Sequence, residues 1–191
     1  MKKNVIIIDN YDSFTYNLVH MVEDILQQEI HVVRNDQFDL KDLQAYDYII
    51  LSPGPGIPEE AGLLKEVIRT YGQRKKIFGV CLGLQAIGEV YGATLINLQK
   101  VWHGMRTDMH KTDSPSVLLD GVPDTFPAGR YHSWVIDPTS DTSELVITAT
   151  DNEGNIMAAR HQTDTVYGVQ FHPESIMTDD GRTMLENFLN S

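Results

Sequence analysis

At 191 residues, with 41% apolar and 22% charged side chains, the chain has the size and composition of one globular domain with a sizeable core, and residues 1–191 are expected to fold as a single unit. A formal net charge of −12 argues against nucleic acid as a partner, because such a surface repels phosphates. The single cysteine rules out an intramolecular disulfide, and the apolar run at residues 5–8 is too short for a signal peptide's hydrophobic stretch or a membrane span, so a cytosolic protein with no membrane contact is expected.

Residues 4–9 read as a buried strand. A helix follows over 13–27, with Phe14, Leu18, Met21, Val22 and Ile25 at helical spacing and Ser13 as its expected N-cap. Strands are predicted at 30–34, 47–51 and 76–80, with helices over 59–70 and 83–91. This alternation predicts an α/β fold: a largely parallel open sheet with helices on both faces. From residue 93 the pattern changes to β-branched and turn residues. Strands are predicted at 94–98, 116–119, 131–136, 144–150, 155–161 and 165–171, as an antiparallel extension of the sheet, and a closing helix at about 179–189.

The chemistry-bearing residues fall at the junctions of these elements. Cys81 lies in Gly79-Val80-Cys81-Leu82-Gly83 between a strand and a helix. A tight strand-to-helix turn brings the positions two before and two after the cysteine close to neighbouring backbone, where only glycine fits. It also puts the sulfur at a helix N-terminus, where thiolate is favoured. The N–H of Leu82 is placed to hold an oxyanion.

A cysteine nucleophile needs a base that works near neutral pH. Of seven histidines, His172 has the fitting context, Phe171-His172-Pro173-Glu174. Pro173 ends the strand, and Glu174, two residues on, can point the same way and accept the ring's other N–H. Ser52-Pro53-Gly54-Pro55-Gly56 follows the third strand, where open α/β sheets bind ligands, and suggests a second oxyanion donor beside Cys81. It lacks the phosphate-loop pattern. No His/Cys cluster has zinc-ligand spacing, so neither metal nor cofactor is expected.

Together these motifs resemble those of class I (triad-type) glutamine amidotransferases: the nucleophile motif around Cys81, Gly168-Val169-Gln170-Phe171-His172-Pro173-Glu174, and the loop Pro53-Gly54-Pro55-Gly56. The opening Asp9-Asn10-Tyr11-Asp12-Ser13-Phe14-Thr15-Tyr16-Asn17, with His103-Gly104 and Arg130-Tyr131-His132-Ser133, is similar to the glutaminase subunits of anthranilate synthase and aminodeoxychorismate synthase. The resemblance implies catalytic residues Cys81, His172 and Glu174 and an oxyanion hole from the N–H groups of Gly56 and Leu82. It implies L-glutamine contacts at Gly54, Gln85, Ser133 and Trp134. It also implies ammonia transfer to a chorismate-binding synthase subunit making anthranilate or 4-amino-4-deoxychorismate. The chain departs from that subfamily at Leu84, where His is usual, at Trp134, where Leu is commoner, and loosely over residues 102–116. The rival readings are a stand-alone Cys-His-Glu hydrolase, such as a γ-glutamyl hydrolase or peptidase, and a non-catalytic interaction subunit.

Overall fold

A computed structural model describes residues 3–191. Its main sheet has nine strands. The first four are β1 (Val5–Asp9), β2 (His31–Arg34), β3 (Tyr48–Leu51) and β4 (Lys76–Val80). The others are β6 (Met105–Lys111), β7 (Thr125–Arg130), β9 (Leu145–Thr150), β10 (Ile156–His161) and β11 (Val166–Val169). They lie in the order β2-β1-β3-β4-β11-β10-β9-β6-β7. The first five in that order run parallel and the rest are antiparallel. Helices α1 (Thr15–Leu26) and α4 (Gly181–Asn190) share one apolar cluster with Ile7, Ile50 and Phe78; α2 (Leu64–Tyr71) and α3 (Leu82–Val90) share the other with Ile6, Ile49 and Leu51. Successive side chains of a strand point to opposite faces, so a strand covered on both reads as the unbroken apolar runs of β1 and β3. Among the described residues no helix is long and apolar enough to cross a membrane.

The α/β expectation holds, with corrections. Residues 165–171 supply β11, which is the junction of the sheet: it pairs in parallel with β4 on one side and antiparallel with β10 on the other. Residues 94–98 and 131–136 do not extend the sheet; β5 (Leu95–Asn97) and β8 (Trp134–Ile136) form a separate two-stranded ribbon. Residues Val117–Leu119 form a 3-10 turn instead of a strand, with Leu118 and Leu119 buried. Asn187 of α4 donates to the Leu118 carbonyl. The helix expected from 59 begins at Leu64, because Gly62 takes φ +55° and packs where a Cβ would lie 2.6 Å from the Asn35 carbonyl oxygen. Ser13 does not cap α1. Asp9 accepts N–H bonds from Tyr11 and Asp12 and the Thr15 hydroxyl, and Asp12 accepts from Phe14.

Strands β6 and β7 are absent from the expected set. Only Met109 of β6 is fully buried, so its sequence has no apolar alternation, and Pro127 interrupts β7. β7 is the outermost strand, where a missing N–H is tolerated.

Candidate active site

The parallel order brings the carboxyl ends of β1, β3, β4 and β11 to one edge, so Asn10, Ser52, Cys81 and Gln170, each following its strand, meet there. Cys81 takes φ 53°, ψ −101°, a conformation strained for any side chain. Two observations show what holds it. Its N–H donates to Val169 O at 2.8 Å. The turn closes because a Cβ on Gly79 would lie 2.5 Å from the Gly83 carbonyl carbon, and one on Gly83 would lie 2.8 Å from Leu51 O. Both flanking glycines are therefore sterically required. Leu82 opens α3, and its N–H belongs to the first turn, which has no intrahelical acceptor.

His172 Nδ1 and Glu174 Oε1 are 2.6 Å apart, both residues buried. The imidazole Nε2 is buried with no hydrogen-bond partner among the described residues. Burial disfavours the imidazolium, but the neighbouring Cys81 sulfur and the Glu174 carboxylate outweigh it and hold the ring's pKa well above the ordinary histidine value. The segment is fastened from outside. His172 N–H donates to Gly129 O at 3.0 Å, the Thr178 hydroxyl donates to His172 O at 2.6 Å, and Gly181 packs where a Cβ would lie 1.9 Å from Pro173 O.

A cavity of about 140 Å³ is lined by Gly54, Gly56, Cys81, Gln85, Ser133 and Trp134, together with Pro55, Tyr131 and His132. It is smaller than the clefts of roughly 300–1,000 Å³ that take drug-sized ligands. Larger hollows lie by Lys65 and Trp134 (about 440 Å³) and by Arg160 and Asp164 (about 410 Å³), but neither contains Cys81, His172 or Glu174. The structure thus gathers Gly54, Gly56, Cys81, Gln85, Ser133 and Trp134 around one cavity, with the His172–Glu174 pair next to Cys81 but not lining it. Leu84 lies outside this set. It is fully buried against Gly168, where an added Cβ would lie 2.6 Å from its Cδ1.

Several of the contacts that build the site join residues far apart in the chain, and no local pattern shows them. Asn10 is buried, donates from Nδ2 to Ser52 O at 2.7 Å and from its N–H to Ser52 Oγ at 2.8 Å, and accepts from Asn35 at 3.0 Å. Gly54 packs where a Cβ would lie 2.6 Å from Asn10 Cβ. Asn10 therefore clamps the loop at residues 52–56. Gln170, fully buried, donates to Cys81 Sγ at 3.4 Å. Gln85 donates to Trp134 O at 2.9 Å and to Gln170 Oε1 at 3.3 Å. Tyr131 lies 4.8 Å from the His172 ring and Phe14 6.2 Å from it. Asp12 also faces this group. Burial raises its carboxyl above the ordinary carboxylate range, partly offset by the Phe14 N–H and the charge of His172. Among the described residues no group of three or more His, Cys, Asp or Glu is arranged to hold a metal ion.

A cysteine in a strained strand-to-helix turn, beside a carboxylate-paired histidine at the carboxyl edge of a parallel sheet, defines the class of α/β proteins built on a Cys-His-Glu constellation. The family model for class-I glutamine amidotransferases matches residues 6–191, and the chain belongs to that family. It is 40% identical, over 98% of its length and 96% of the relative's, to the aminodeoxychorismate/anthranilate synthase component 2 of Bacillus subtilis (strain 168). It is 39% identical to the bifunctional protein TrpGD of Thermotoga maritima over 98% of its own length, but spans only 32% of that protein. A solved glutamine amidotransferase structure from Thermotoga maritima superposes with a TM-score of 0.76 at 13% identity. That match covers 100% of this chain and 97% of the other, and bears on the fold alone.

Proposed function

We propose that the chain, as one domain, hydrolyses L-glutamine to glutamate and ammonia through a cysteinyl thioester and delivers the ammonia to a chorismate-binding synthase subunit. The observation that carries this reading is the strained Cys81 beside His172, whose Nδ1 is engaged by Glu174 at 2.6 Å while its Nε2 has no partner among the described residues. The Cys81 thiolate attacks the side-chain amide carbon of glutamine. The N–H groups of Leu82 and Gly56 hold the oxyanion, and His172, kept cationic, protonates the departing ammonia. Water activated by His172 then releases glutamate and regenerates the thiolate. Glu174 fixes the imidazole's tautomer and supports its charge. Gly54, Gln85, Ser133 and Trp134 form the substrate wall.

The partner follows from the family likeness and from the surface beside the site. Tyr11, Phe14 and Tyr16 are exposed large apolar side chains on one short segment, and such clustering at a site's rim suits protein docking. A partner seated there would touch Phe14, which stands against the His172 and Tyr131 rings. The product is anthranilate, 4-amino-4-deoxychorismate or both, in keeping with the joint name of the Bacillus relative.

The test is glutamate release from glutamine by the wild type and by Cys81→Ser, each with and without a chorismate-binding subunit. Wild-type release that rises with the partner and is lost in the variant supports the reading. Release that ignores the partner removes the chorismate assignment, and undiminished release by Cys81→Ser removes the thioester.

A further inference from the structure

We propose that Arg130 is a positioning residue for the glutamine-binding wall: its Nε–H fixes the tautomer of His132, and His132 in turn locks the Trp134 carbonyl that closes the cavity. This inference rests on the glutaminase reading and assigns a function to side chains that reading leaves idle.

Arg130 is almost wholly buried. Its Nη1 pairs with Asp151 Oδ2 at 2.9 Å, and its guanidinium stacks on the Trp102 ring with 3.7 Å to the centroid. Asp151 is itself immobilised by the Asn155 backbone and side-chain N–H groups and by the Glu153 N–H, at 2.8–2.9 Å. The planar fork therefore has one available orientation. An arginine nitrogen can only donate. The Nε–H lies 3.1 Å from His132 Nε2, so that imidazole nitrogen must present its lone pair. The ring proton is thereby assigned to Nδ1, which sits 3.1 Å from Trp134 O. The opposite tautomer would set N–H against N–H at one end and a lone pair against a carbonyl oxygen at the other. The ring is also neutral: burial, and next the Arg130 charge, push the His132 pKa down to about 3.

Trp134 O receives a second donor, Gln85 Nε2 at 2.9 Å, and Gln85 reaches Gln170, which donates to Cys81 Sγ. Two donors converging on one carbonyl fix the peptide plane after Trp134. They also orient the segment of Ser133 and Trp134, both of which line the cavity. An ion pair kept only for stability would be served by lysine. Lysine puts a methylene where arginine has Nε, so Arg130→Lys retains a cation for Asp151 while removing the donor to His132 and the planar stack on Trp102; the His132 tautomer reads the first loss and is blind to the second.

The experiment uses the full chain with its synthase partner. Wild type and Arg130→Lys are compared by glutamate-release kinetics and by ¹⁵N NMR of the histidine side chains. We expect His132 as the Nδ1–H tautomer in the wild type and a shift toward Nε2–H in Arg130→Lys. The KM for glutamine should rise about three- to tenfold, the scale of one lost hydrogen bond, with kcat changing less, as for an interaction made equally in ground and transition states. A second pair of variants needs no change at Arg130. His132→Asn keeps a donor near the Nδ1 position, whereas His132→Gln moves it to the Nε2 position, so His132→Asn should have the lower KM, and Arg130→Lys should add nothing on top of it. An Nε2–H tautomer in the wild type, an unchanged KM in Arg130→Lys, or a KM no lower for His132→Asn than for His132→Gln overturns the proposal. Absence of glutamate release by wild type would instead overturn the glutaminase reading, and the wild-type tautomer would still decide whether Arg130 controls His132.

Discussion

Gly79→Ala is the substitution on which the geometry of the turn makes its sharpest demand. An alanine Cβ at this position would lie 2.5 Å from the Gly83 carbonyl carbon, 2.6 Å from its oxygen and 2.7 Å from Ile87 Cδ1. The Ile87 methyl can rotate away, but the first two atoms are backbone of α3. Strand and helix must therefore part by about 1 Å to regain ordinary van der Waals contact. Overpacking of a close-packed core costs about 1–3 kcal/mol. The same 1 Å falls on the segment carrying Cys81 and the Leu82 N–H, where a displacement of that size typically costs on the order of 100-fold in rate. Urea unfolding should show the loss of stability, and glutamate release with the partner present should show the loss of turnover. Gly154→Ala is the control. Gly154 has a positive φ of 81° but nothing within 4 Å of the added Cβ, so it should lose about 1–2 kcal/mol from backbone strain alone, with turnover intact. A Gly79→Ala protein with wild-type stability and turnover would refute the steric account of the turn.

Asn10→Ala removes the side-chain bond to Ser52 O that holds the loop at residues 52–56 and the Asn35 bond that fixes Asn10 itself, so glutamate release should fall at least tenfold and stability by about 1–3 kcal/mol; a rate within about twofold of wild type would mean the loop is held without the Asn10 side chain. Glu174→Gln carries a pH signature. The folded-state pKa of His172 is raised, so the stability linked to its charge is fully present below the unfolded value near 6.5 and is lost as pH rises through the raised pKa. The variant should therefore be destabilised by about 1.5–3 kcal/mol at pH 6, with the gap to wild type narrowing at alkaline pH, and a gap that stays constant across urea titrations would contradict the assignment. Tyr16→Ser removes an exposed aromatic from the proposed docking segment and should weaken partner binding about tenfold by calorimetry; an unchanged Kd would move the interface elsewhere.

What the sequence determined by itself was local. The apolar runs of β1 and β3, buried on both faces, announced a parallel sheet. The two glycines around Cys81 announced a turn that only they permit, and His172 and Glu174, two residues apart, could find each other without help from the rest of the chain. The tertiary structure decided whatever depends on strands meeting. Asn10 reaches Ser52 across 42 residues and Gln170 reaches Cys81 across 89, because β1, β3, β4 and β11 end side by side. The Arg130–Asp151 pair, the neutral His132 and the outer strands β6 and β7 were equally out of reach. Periodicity reports which face of an element is buried. It carries no record of which distant polar group will be waiting there, and at a sheet edge, where one side meets water and a proline costs little, even that report fades.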